Sequence, residues 1–167
     1  MKRYVLTGIF AGLIGATSIV YAQSASDQLA EYRRMLADGN PAELYEADGE
    51  ELWTKPAGPK KVSLEKCDLG LGPGVVKGAS AQLPRYFKDT NRVQDLESRL
   101  MTCMDTLQGI PEADIVKGSF GKGVRKDLEA VVAYIVTQSK DMKVNVPATH
   151  PKEKEMLALG EKIFYLQ

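Results

Sequence analysis

The chain has 167 residues, 44% of them hydrophobic and 26% charged, which suits a globular protein with room for one domain, or one domain and part of another. Lysine plus arginine equal aspartate plus glutamate at 22 each, so there is neither a polybasic patch for nucleic acid nor an acidic tail. At the start, Met1-Lys2-Arg3 supplies a short positive region and an apolar run follows from Tyr4 to about Val20. Val20-Tyr21-Ala22 then places compact residues where a signal peptidase reads. The pattern predicts a secretory signal over 1–22, cut between Ala22 and Gln23, which leaves a slightly acidic chain in the periplasm with no membrane attachment. An uncleaved anchor is the alternative, and Thr7, Thr17 and Ser18 weaken it as a stable span.

After the signal, Ser26 to Leu36 reads as a helix with Leu29, Tyr32, Arg33 and Leu36 on one face, stopped by Gly39-Asn40-Pro41. A second helix is expected from Pro41 to Trp53, with proline in its first turn. Lys55 to Lys61 is a loop by composition. The glycine-rich stretch from Cys67 to Gly78 predicts a compact irregular loop. Its Gly70-Leu71-Gly72-Pro73-Gly74 is not a nucleotide cradle, because no strand precedes it and Pro73 removes a backbone donor.

A clear helix comes next. Asn91 and Gln94 have capping-box spacing, Val93, Leu96, Leu100, Cys103, Met104 and Leu107 recur at three and four, and Gly109-Ile110-Pro111 ends the run. Cys103 therefore falls on the buried stripe of a helix within reach of Cys67. These are the only two cysteines, and an oxidising compartment favours their disulfide, with two buried free thiols as the alternative. A bridge closing that loop contributes roughly 4 kcal/mol in the chain-entropy picture.

The last complete helix is expected from Gly123 to Asp141, with Val124, Leu128, Val131, Val132, Ile135 and Val136 as its apolar stripe. A further amphipathic helix starts near Lys152 and runs to the end with no stop signal, as though interrupted. Without a partner for Met156, Leu157, Leu159, Ile163 and Phe164 it should be loose. No alternating strand pattern appears, so the class is all-α. One histidine, His150, stands before Pro151 in a linker and reads as a solvated loop residue. No catalytic nucleophile–base arrangement and no metal-ligand cluster is present.

Gly49-Glu50-Glu51-Leu52-Trp53 echoes Gly160-Glu161-Lys162-Ile163-Phe164, with glycine letting another helix cross closely and an aromatic packed beside it. The arrangement is similar to the first helix of c-type cytochrome domains, and Asp127 to Ile135 looks like their last helix, which crosses the first. Yet no C-x-x-C-H occurs, so no heme is expected on this chain itself.

Leu64 to Gly74, Leu83 to Phe87, Val93 to Leu100 and Cys103-Met104 resemble the amino-terminal domain of the SoxA family. The resemblance implies two cytochrome c-like domains: a heme-free one here over 23–148, and a second, heme-bearing one that opens at 149–167 and is cut short. Cys67 falls where a first heme cysteine stands in the diheme branch, and Cys103 where the far iron ligand stands. Gly70 and Leu71 replace the second cysteine and the histidine. The likeness is therefore to the monoheme branch, whose disulfide would join Cys67 to Cys103. It also implies a SoxX cytochrome partner, a SoxYZ carrier whose cysteine is conjugated to thiosulfate, and heme c beyond Gln167. Arg85, Tyr86 and Arg99 lie in the matching blocks as candidate contacts, with structural or solvated roles favoured for the two arginines. The competing reading is a heme-free periplasmic binding or scaffold domain without catalysis.

Overall fold

The computed structural model describes residues 25–37 and 42–166. The expected signal and its cleavage between Ala22 and Gln23 lie outside these residues, as do Pro41 and Gln167. The chain divides into two compact units, Met1–Gly39 and Asn40–Gln167. In the first, helix α1 (Ala25–Ala37) carries Asp27 in its first turn and Arg34 in its last, charges that suit the helix dipole.

The second unit is built on a crossing of two helices, α2 (Ala42–Thr54) and α5 (Gly123–Thr137). Gly49 is buried at the contact, and a Cβ there would overlap the carbonyl oxygen of Ala130 and stand 2.9 Å from Cβ of Tyr134. Only glycine lets the backbones meet this closely. One turn on, Trp53 is 3% exposed and anchors the core with Leu128, Val131 and Ile135 of α5. Each such side chain contributes roughly 1.5–3 kcal/mol on full burial. Val136, expected in the stripe, is half exposed instead, because the helix rotates it past the core edge.

Helix α3 (Leu96–Cys103) passes directly into a wider π-helical turn, Met104–Gln108, closed by left-handed Gly109. Leu96, Leu100, Cys103 and Met104 point into the core as the spacing requires. Short helix α4 (Glu112–Lys117), which lacks a periodic signature, adds buried Ile115. Helix α6 (Pro151–Tyr165) follows an extended linker.

The domain is mostly helical, but it departs from an all-α class by one antiparallel hairpin, β1 (Arg85–Phe87) with β2 (Arg92–Gln94). Tyr86 pairs with Val93 in its register. The hairpin displaces the expected start of α3 by several residues. Asn91 lies in its turn at a positive φ of 53°, so it cannot cap a helix. Asp95 is the cap, its carboxylate accepting from the Ser98 N–H at 2.8 Å. Gln94 is 2% exposed and turns inward, donating to the Ser98 carbonyl and to the Thr102 hydroxyl.

Candidate functional site

The loop that follows the 3₁₀ turn Leu64–Lys66 is wound around Asp68. One carboxylate oxygen of Asp68 accepts from the N–H groups of Gly70 at 2.7 Å and Gly72 at 3.0 Å, and the Gly74 N–H returns to the Cys67 carbonyl at 2.9 Å. This closes an Asx-type turn that holds the loop without regular structure. At its base Cys67 is joined to Cys103 of α3, with Cα atoms 5.6 Å apart. The two cysteines are 1% and 3% exposed, so the bridge sits inside the core.

Arg99, one turn before Cys103, fastens the other side of the loop. Its Nε donates to the Asp68 carbonyl at 2.7 Å and its Nη1 to Asp89 at 2.7 Å, and the guanidinium lies 4.0 Å over the Phe87 ring. At 5% exposure it is a structural arginine, in keeping with its expected role. Arg85 donates through Nη1 to the Gly70 carbonyl. A cleft of about 800 Å³ opens beside the bridge, lined in part by Lys66, Gly70, Arg85, Lys88 and Arg99.

A second cluster joins the linker to the hairpin. His150 is not a solvated loop residue: it caps α6, its Nδ1 accepting from the Lys152 N–H at 3.2 Å, and its ring stacks on Tyr86 with centroids 3.6 Å apart. Glu153 completes the capping box and is 7% exposed. Its carboxylate accepts from the N–H groups of Tyr86 at 2.8 Å, His150 at 2.9 Å and Thr149 at 3.0 Å. Burial alone would raise its pKa. The three backbone donors and the neighbouring imidazole outweigh that and hold it below the ordinary value. Sequence reasoning passed over this cluster, although Pro151 and Glu153 are the first-turn proline and the acid three residues after the cap that mark a helix start. Beyond the first turn, Met156, Leu157, Leu159, Ile163 and Phe164 are all exposed. Gly160 faces open space where Gly49 faces Ala130, so the two halves of the sequence echo differ in their surroundings.

The donor set bears directly on heme. Covalent attachment requires two thiols spaced in C-x-x-C-H, with the histidine on iron. Both cysteines are spent in the bridge, Gly70 and Leu71 stand where the second cysteine and the histidine of the motif would fall after Cys67, and His150 follows no such cysteine pair. These residues do not fit a c-type heme. Among the described residues no group of three or more His, Cys, Asp or Glu could hold a metal ion.

Known proteins give the fold its context. The L-cysteine S-thiosulfotransferase subunit SoxA of Hydrogenophilus thermoluteolus is 49% identical, over 99% of this chain and 63% of that protein. A subunit of the same name from Hydrogenobacter thermophilus is 28% identical over 99% of the chain and 62% of its own length. The crystal structure of SoxXA from P. pantotrophus matches with a TM-score of 0.61 at 24% identity, over 81% of this chain and 48% of that one, a likeness of fold. The chain thus spans less than two thirds of the length of these relatives. The sequence profile of the SoxA/TsdA cytochrome c domain matches residues 48–144, from the turn of α2 that carries Gly49 to just past α5. Since that stretch contains both the helix crossing and the Cys67–Cys103 bridge, and makes up more than half of the sequence, the chain belongs to the SoxA/TsdA cytochrome c domain family.

Proposed function

We propose that this chain is the amino-terminal part of a periplasmic SoxA-type subunit of the monoheme kind. Residues 23–148 are its heme-free cytochrome c-like domain, and 149–167 open a second domain. The complete subunit, paired with a SoxX cytochrome, conjugates thiosulfate to a cysteine of a SoxYZ carrier. In that step the outer sulfur of thiosulfate bonds to the carrier's thiol sulfur, and one proton and two electrons leave. The electron acceptor, heme c, is assigned to the part of the relatives' length that this chain does not span.

The observation that carries this reading is 49% identity, across 99% of the chain, to a protein named for that transferase activity. The residues here position other parts and do not react. The bridge ties the irregular loop to α3, and the Glu153 cluster sets where α6 leaves the hairpin. The exposed apolar side chains of α6 suit a helix that is covered in the complete protein.

The test is to express the complete reading frame with its SoxX partner in a heme-maturing periplasm and offer thiosulfate and reduced carrier. A heme-bearing heterodimer should add one thiosulfate to the carrier cysteine, read by mass, only when an electron acceptor is supplied. An intact, heme-loaded heterodimer that leaves the carrier unmodified would sink the reading. The alternative is a heme-free binding module, which the donor set around Cys67 fits equally well. It predicts a reading frame with no C-x-x-C-H and a partner bound without conjugation.

A further inference from the structure

Two arginines from different elements rest on alternate carbonyls of the same loop. Arg99 of α3 is held by the carbonyl of Asp68, and Arg85 of β1 by that of Gly70. A carbonyl orients a guanidinium without neutralising it. Arg99 has a carboxylate partner in Asp89, while Arg85 has none among the described residues, and its Nε and Nη2 make no hydrogen bond there. The seat for Arg85 is specific. Gly70 has a φ of 99°, and a Cβ at that position would overlap the Arg85 side chain. Any other residue would push the guanidinium off the loop.

Both arginines line the cleft beside the bridge, together with Lys66 and Lys88, neither of which has a carboxylate partner among the described residues. The carboxylates that line it are Asp68, committed through one oxygen to two loop amides, and Asp89, paired with Arg99. Four cations thus face two carboxylates that are already engaged. A guanidinium fixed in advance, with spare N–H groups, loses little freedom on binding and matches two oxygens of one ligand. The exposed lysines raise the local concentration of anions at the rim.

We propose that this cleft binds a small dianionic oxyanion of the sulfate class. Arg85 is its principal donor, Arg99 lends positive charge behind it, and Lys66 and Lys88 steer it in. Sulfate and thiosulfate share the recognised chemistry. The inference does not depend on the thiosulfate transfer proposed above, because it concerns binding to residues of this chain alone.

The test is amide and arginine side-chain NMR of the intact oxidised chain, titrated separately with sodium sulfate and sodium thiosulfate against sodium chloride at matched ionic strength. Saturable shifts should appear at the Arg85 Nε–H and the Gly70 amide with either dianion and not with chloride. Arg85→Gln should weaken binding about tenfold or more. Lys88→Gln, at an exposed side chain with no hydrogen bond or ion pair among the described residues, should weaken it about twofold. Lys126→Gln, outside the cleft, should leave it unchanged. No saturable shift with either dianion, identical shifts with chloride, or full affinity in a folded Arg85→Gln would overturn the proposal. If Arg85→Gln fails to fold, undiminished binding by Lys88→Gln together with the same chloride response overturns it as well.

Discussion

Arg99 reaches from α3 to the backbone carbonyl of Asp68, 2.7 Å from Nε, and so ties the loop after Cys67 to the helix that carries Cys103. The noncovalent tie and the disulfide span the same two elements. The loop therefore stays closed even though it has almost no regular secondary structure.

Removing that arginine should be costly although its ion pair is half open to water. Asp89 is 57% exposed and can be resolvated, so the Coulomb part is small. The loss comes from the Asp68 carbonyl, the Phe87 ring and Gln94, which surround the guanidinium inside the protein. Arg99→Met should lower stability by about 2 kcal/mol in urea unfolding of the oxidised chain. Arg99→Lys should recover little, because one ammonium cannot serve both Asp68 and Asp89. A lysine variant as stable as the parent would show that charge alone matters here.

The two glycines of the sequence echo should respond in opposite directions. Gly49→Ala forces a methyl group into the Ala130 carbonyl and should destabilise by about 1–3 kcal/mol as α2 and α5 are pushed apart. Gly160→Ala meets nothing within 4 Å and should favour the helix by about 0.5–1 kcal/mol locally. Circular dichroism with thermal melts separates the cases: a lower midpoint for the first, equal or greater helicity for the second. Equal losses at both sites would refute the crossing as the reason for Gly49.

The helices were legible because their apolar residues recur at three and four, and that spacing survives in Leu96, Leu100 and Cys103 and in Leu128, Val131 and Ile135. The hairpin was not. Strands of three residues have no room to show alternation, and Asn91 and Gln94 offered a helix start that tertiary contacts overrode. Gln94 was drawn inward to Ser98 and Thr102, and Asp95 took the cap. At the site, the two cysteines stood out by count and compartment, but the wiring around them did not. Arg99 on Asp68, Arg85 on Gly70 and Glu153 on Tyr86 join residues 15 to 67 positions apart, and such pairings leave no local pattern.

Reduction of the bridge should weaken the domain sharply. The cysteines are 36 residues apart, and opening that loop in the unfolded chain contributes roughly 4 kcal/mol on the entropic account. Unfolding with and without reductant, followed by Trp53 fluorescence, measures the difference, since Trp53 is buried in the same core. The Cys67→Ala, Cys103→Ala double variant should match the reduced protein. A reduced chain with an unchanged midpoint would mean that Asp68 and Arg99 hold the loop unaided.

Acid should release the start of α6 before it unfolds the rest. Burial opposes the charge on Glu153, but the N–H groups of Tyr86, His150 and Thr149 and the His150 imidazole favour it more strongly, and its pKa in the folded chain falls below 4.5. A group with a depressed pKa stabilises above its unfolded value, and that contribution is lost as pH falls through the folded value. Docking of α6 should thus be intact from neutral pH down to about 4.5 and weaken below it. Protonation removes a carboxylate that three backbone donors need, so their amides should lose protection together, measured against the intrinsic exchange rate at each pH. Hydrogen exchange at Tyr86, Thr149 and His150 reads this directly, with the α2–α5 amides as internal reference. Glu153→Gln should show fast exchange at those three sites at neutral pH and lose the acid step. Beyond the first turn, where Met156 to Phe164 are exposed, protection should be low at every pH. Strong protection across Met156 to Phe164 would contradict a helix held only at its first turn, and an unchanged acid profile in Glu153→Gln would remove the carboxylate from the account.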